Sequence, residues 1–270
     1  METNHLPDDL EPEITERLVT RREAILRGAR VSSALAAGLT LGSAPVATAA
    51  LAQDAFAQDG LPESMVEVLN FGLLLEHLAI DFYTRALGAP GLLTGDTRPV
   101  FEQILKHEAG HARFLQSVLR DRAIPRPAFD FTGGNGRGNG PFADVFRNRA
   151  TFLALSQAFE DLGVKAVKGQ AGFLLPNDAL LQAGLRIHSV EARHAAEVRR
   201  LRGQKAWITG DSRGDLPAMF DPIYDPEDDT YHFVLAPLPK TAGTTEAFDQ
   251  PMRKRRALDI LSPFLAGERP

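Results

Sequence analysis

The chain has 270 residues, 44% hydrophobic and 24% charged, a balance that supports a packed core and excludes disorder along the whole length. Its 30 basic and 35 acidic residues give a net charge of −5, the wrong sign for a partner held by phosphate neutralisation, so no nucleic acid is expected. With no cysteine, disulfides, thiolate zinc sites, iron–sulfur clusters and cysteine nucleophiles are excluded, and any metal must be held by nitrogen and oxygen.

Residues 1–57 read as a segment apart. A polar stretch carries Arg21 and Arg22; after Arg30 the run VSSALAAGLTLGSAPVATAALA reaches Ala52 without a charge, and two Ala-x-Ala sites follow at Ala50-Leu51-Ala52 and Ala55-Phe56-Ala57. This is the layout of a secretory signal, and the arginine pair in TRREAIL points to the twin-arginine type, which makes the protein exported, periplasmic or in the cell envelope. The alternative is an uncleaved hydrophobic anchor, which Gly38, Gly42 and Pro45 weaken as a packed helix. From Gln58 on no stretch is long and apolar enough to span a bilayer, so membrane contact is expected only through the N-terminal segment.

Four helices are predicted over 58–202. The first, Ser64 to Leu87, places Val66, Leu69, Leu73, Ile80 and Leu87 on one face. A Gly/Pro-rich connection leads to the second, about Arg98 to Asp121, with Ile104, Ala112, Leu115 and Leu119 at similar spacing. Pro125, Pro127 and the run GGNGRGNGP cannot be helix and predict an extended, flexible crossover, whose glycines lack the G-x-G-x-x-G order of a dinucleotide site. The third helix is expected over Phe142 to Gly172 and the fourth from Asp178 to about Arg202, after a break at Pro176-Asn177. A short, a long and a short connection predict an all-α antiparallel four-helix bundle with a long crossover between its second and third helices. Residues 203–270 form an irregular C-terminal extension, punctuated by prolines and closed by a basic helical run at Arg253 to Phe264, that packs on the bundle. Its aspartates, Asp211, Asp215, Asp221, Asp225 and Asp228, lack the glycine and terminal glutamate of a calcium loop and read as turn residues.

Glu76 follows the apolar stripe of the first helix, and Glu160 holds the corresponding place in the third. The second helix carries Glu108 and His111, the fourth Glu191 and His194, each an i, i+3 pair between core residues. Four carboxylates buried on one axis repel each other and lose hydration, and two divalent cations supply +4 against −4. One Glu from each of two helices and a Glu-x-x-His from each of the other two is the donor pattern of a dinuclear carboxylate centre. Oxygen and imidazole donors suit two iron ions or, alternatively, two manganese ions. Glu108 and Glu191 are placed to bridge, Glu76 and Glu160 to cap one metal each, and each histidine to complete one shell. His77 and His107, turned about 100° from the neighbouring glutamate, are expected to face helix contacts or solvent. His188, one turn before Glu191, is a candidate supporting residue, and His232 reads as surface. Tyr83, two turns beyond Glu76, reads either as a core aromatic or as a group that passes a proton or electron to the metals.

The stretches LNFGLLLEHLAIDFYTRAL, ILKHEAGHARFL, AFEDLGVKAVKGQAG and HSVEARHAAEVRRL resemble the ferritin-like family that includes the plant desiccation-related proteins and many bacterial exported proteins. The resemblance covers about Leu61 to Arg202, and AFDQPMRKRRALDILSPFL is similar to that family's C-terminal end. It implies a ferritin-like bundle, with Glu76, Glu108, His111, Glu160, Glu191 and His194 as ligands. Glu-Ala-Arg-His also resembles half of the diiron oxygenase motif, but the residue before Glu191 is Val190 where an acidic residue is usual. Arg193 then needs another partner, with Asp81 or Asp161 as candidates. The resemblance fixes fold and metal site better than reaction. The readings that follow are a diiron protein handling peroxide or dioxygen in stress protection, a dimanganese enzyme that disproportionates peroxide, or a non-catalytic stress-associated protein tied together by metal. Metal ions and a small oxidant are the expected partners, with a homo-oligomer left open.

Overall fold

The computed structural model describes residues 60–229 and 245–267; the N-terminal segment read as a signal and His232 lie outside the described residues. Four long helices carry the chain: α1 Glu63–Gly88, α2 Thr97–Leu119, α3 Arg149–Gln170 and α4 Asp178–Leu201. Two short ones follow, α5 Asp221–Tyr224 and α6 Lys254–Leu261. Among the described residues the one β feature is an isolated antiparallel bridge between Phe129 and Leu265.

Local chemistry sets the helix ends. At α4 the Asn177 side chain accepts from the Leu180 N–H, filling one of the donors a helix start leaves open. Asn148 does the same for Ala150 and Thr151, so α3 begins at Arg149 and not at Phe142 as the sequence suggested. The segment before it is turned instead: the Arg147 and Asn148 N–H groups donate to the Asp144 carbonyl, and the Asn148 side-chain amide donates to the Asp144 carboxylate. Short connections make α1/α2 and α3/α4 antiparallel neighbours; α3 also packs on α1, and α4 on α2, which closes the bundle.

Two apolar layers sandwich a polar one. Met65, Leu69, Leu73, Leu115 and Leu180 fill one end of the bundle. The other end is aromatic, with the Phe82 ring 5.1 to 5.7 Å from those of Tyr83, Phe131, Phe146, Phe152 and Phe159. Between these layers, near the midpoint of each long helix, lie Glu76, Glu108, Glu160 and Glu191.

The crossover differs from the expected flexible stretch. The Asp130 carboxylate accepts from the Thr132 N–H and hydroxyl and from the Gly138 N–H, gathering the glycine run into a tied loop. Phe129 and Phe131 are buried in the aromatic core. The C-terminal extension closes over this loop, with Asp130 N–H donating to the Phe264 carbonyl and Ala266 N–H to that of Ala128. It also binds α3: Met252 N–H donates to the Lys165 carbonyl, and a Cβ at Gly169 would lie 1.9 Å from the Met252 oxygen, a contact only glycine permits. Buried charges finish the junction, with Lys165 on Glu227 and Asp161 held by Arg199 and the Tyr224 hydroxyl. Of the tail aspartates, Asp215 pairs with Arg202, Asp221 with Arg213 and Asp225 with Arg256.

Candidate metal centre

Helix periodicity turns the six candidate donors inward, and bundle closure brings them together. Two groups of side-chain donors form, with ligand atoms within 4.8 Å of one another: Glu76, Glu108, His111 and Glu191, and Glu108, Glu160, Glu191 and His194. Glu108 and Glu191 belong to both groups, Glu76 and His111 to the first, and Glu160 and His194 to the second. Among the described residues no third group of this kind gathers.

Both imidazoles aim Nδ1 at the carboxylates. His111 Nδ1 lies 3.1 Å from Glu191, 3.3 Å from Glu108 and 3.6 Å from Glu76. His194 Nδ1 lies 2.9 Å from Glu108, 3.6 Å from Glu160 and 3.8 Å from Glu191. Even so, His194 Nδ1, Glu108 Oε1 and Glu191 Oε1 are buried without an aligned hydrogen bond. Buried polar atoms that converge without pairing suit a shared cation, and a donor set of four carboxylates and two imidazoles fits two divalent ions.

Without metal the cluster shares protons. Burial, then the charge of Glu108, raises the Glu76 carboxyl well above its ordinary range, and burial lifts Glu160 to about 7. Burial would lower the pKa of His111, but the carboxylates of Glu108, Glu191 and Glu76 around it prevail and push it up to about 12. His194 moves in the same direction, among Glu108, Glu160 and Glu191. Glu108 moves down despite burial because both imidazoles lie against it. Two imidazolium charges thus partly balance the carboxylates, and metal binding must displace their protons.

Three neighbours complete the site. The Tyr83 hydroxyl, fully buried, donates to Glu160 Oε1, which makes it a direct partner of a candidate ligand. His107 Nδ1 lies 2.9 Å from His194 Nε2, with the rings nearly parallel, and Gln103 meets the far side of His107. A His194 tautomer that donates Nε2–H to His107 leaves its Nδ1 lone pair free for a metal. The helix contact expected of His107 is made with a candidate ligand, and Gln103, His107 and His111 are spaced four apart on one ridge of α2. On the side away from the imidazoles, a cavity of 30 Å³ is lined by Glu76, Glu108, Glu160, Glu191, Gly163 and Leu261. A Cβ at Gly163 would reach within 3.6 Å of Glu191 Oε2, so glycine keeps that space open, and Leu261 brings the C-terminal extension to the site.

The expected partners of Arg193 are corrected. Arg193 is exposed, while Asp161 is taken by Arg199 and Tyr224, and Asp81 by Arg85 and Arg126; neither serves Arg193. His188 lines an apolar pocket beside the site and joins neither donor group. His77 is buried outside the donor groups, its Nε2 without a hydrogen-bond partner.

A search of curated proteins returned no match. A family model described as ferritin-like domain matches residues 64–204, a span that holds all four long helices from Ser64 onward and every donor of the cluster. With that match over more than half of its length, the chain belongs to the ferritin-like domain family.

Proposed function

We propose that this is a dinuclear metal protein, with two iron ions held by Glu76, Glu108, His111, Glu160, Glu191 and His194, that handles peroxide or dioxygen in stress protection. The carrying observation is the pair of donor groups that share Glu108 and Glu191, a division that gives each ion one carboxylate and one imidazole of its own. When bound, the ions supply redox chemistry and Lewis acidity. The chain's residues do the rest: Glu108 and Glu191 would be shared between the ions, His107 would position His194, and the Tyr83 hydroxyl holds Glu160 Oε1 by donating to it. The 30 Å³ cavity exceeds the ~10–15 Å³ that a water molecule requires, which suits a small oxidant beside the carboxylates. Leu75, Phe159, Leu162 and Leu261 make the same wall largely apolar.

The test is elemental analysis of protein purified from its native compartment, followed by a peroxide-consumption assay. Two iron ions per chain with consumption of peroxide or dioxygen agree with this reading. Manganese with peroxide disproportionation would replace iron by the dimanganese alternative, and two metals without turnover of either oxidant would leave a structural role. Export by the twin-arginine route, supported by the layout of residues 1–57, belongs to the same proposal, since that route carries a cargo folded around its metal.

A further inference from the structure

Beside the metal site, α1, α2, α4 and the end of α3 enclose a pocket of 180 Å³. Its wall includes Leu69, Leu75, Phe114, Leu115, Leu180 and Leu181. Of its four polar side chains, Lys168 Nζ donates to the Asp249 carbonyl, Gln170 Nε2 donates to that of Met252, Glu76 belongs to the candidate donor set, and His188, which burial keeps neutral, leaves Nδ1 without a hydrogen-bond partner. The pocket and the 30 Å³ cavity share Leu75, Glu76 and Val167, so its inner end abuts a candidate metal ligand. We propose that this pocket binds one small uncharged apolar molecule, a single aromatic ring or an aliphatic chain of about six to eight carbons, seated against that inner wall.

Size, polarity and access all support this occupant. An apolar cavity of about 150 Å³ takes up benzene, so 180 Å³ accepts a ring with a methyl or two. A charged ligand would find no free counter-charge in the leucine-lined part and would pay its desolvation uncompensated. Gly72 lies inside α1, where glycine is a poorer helix residue than alanine. A Cβ there would meet only Leu115 Cδ1, at an ordinary 3.5 Å, so packing does not demand glycine; what its absence of side chain preserves is pocket volume. At the mouth, Leu185 is 50% exposed, and Phe173 and Leu175, at 53% and 65%, flank the lining residue Leu174 in the chain. Leu185, both on the pocket wall and half exposed, marks the side from which such a molecule reaches the interior.

The inference rests on the pocket and not on the metal reading, and toluene tests it on the full chain in both metal-depleted and iron-loaded form. Calorimetry is expected to give one site, with a dissociation constant of roughly 0.1–1 mM in both forms. Gly72→Leu, which fills the pocket from α1, is expected to weaken binding at least tenfold with helical content unchanged. In the unsubstituted protein, toluene is expected to shift the methyl resonances of Leu69, Leu115 and Leu181, an observation independent of whether the variant folds. No saturable binding, equal binding by a folded Gly72→Leu, shifts confined to methyls elsewhere, or a stable dimer that excludes toluene would each overturn the proposal.

Discussion

Glu160 concentrates the physics of the centre: burial lifts its pKa to about 7, while the Tyr83 hydroxyl and the His194 ring both reach its oxygens. A carboxyl whose folded pKa exceeds its ordinary value of about 4.3 stabilises the fold fully below that value and loses the contribution as pH rises through 7. His111, raised to about 12, has the same sign, its contribution being complete below about 6.5 and declining above. Metal needs these groups deprotonated, so its stabilisation runs the opposite way. The rise in melting temperature caused by ferrous ion under anaerobic conditions is therefore expected to be larger at pH 8 than at pH 5.5; a larger rise at the lower pH contradicts the ligand assignment. Tyr83→Phe removes a buried hydrogen bond to a carboxylate and is expected to cost about 1–3 kcal/mol in denaturant unfolding without metal. His107→Ala frees the His194 ring and is expected to weaken one of two ions by about 10–100-fold in a metal titration, leaving the other near its original affinity. Equal weakening of both would contradict a local role for His107. The six donors were legible because i, i+3 spacing on a helix is local information. His107 was not, since its partner sits on another helix and only the packing of α2 against α4 reveals it.

Among the elements, the C-terminal extension packs on the bundle as expected, but through contacts the sequence alone did not convey. Its contact with α3 depends on Gly169 and on the buried Lys165–Glu227 pair, each joining residues far apart in sequence. Glu227→Ala leaves the Lys165 charge buried and unpaired, and a loss of about 3–5 kcal/mol is expected in urea unfolding. Replacing both partners by apolar residues is expected to recover much of that loss, because the uncompensated charge is then gone; a double variant as unstable as the single one would argue that packing geometry matters more. The four long helices were readable from their stripes to within a residue or two at most ends. The start of α3 was not, because apolar residues continue back to Phe142, and the Asn148 cap with the Asp144 turn overrides them. Glycines and prolines in the crossover marked the end of helix correctly but concealed order: Asp130 ties the loop, and Phe129 and Phe131 anchor it in the core.

For the whole molecule, fold, family and the convergence of donors belong together: two apolar layers hold a polar layer that neither could tolerate unpaired. Under the proposed twin-arginine export, Arg21→Lys with Arg22→Lys is expected to leave the protein in the cytoplasm; undiminished export of the double variant would contradict that route. Metal identity was not legible because carboxylate and imidazole serve iron and manganese alike. The central claim is that two ions share Glu108 and Glu191, and anomalous diffraction from crystals of the iron-loaded protein tests it most directly. Two peaks are predicted, one bounded by Glu76 and His111 and the other by Glu160 and His194, with Glu108 and Glu191 touching both. A single peak, peaks away from these residues, or none with the carboxylates and imidazoles paired among themselves would contradict it.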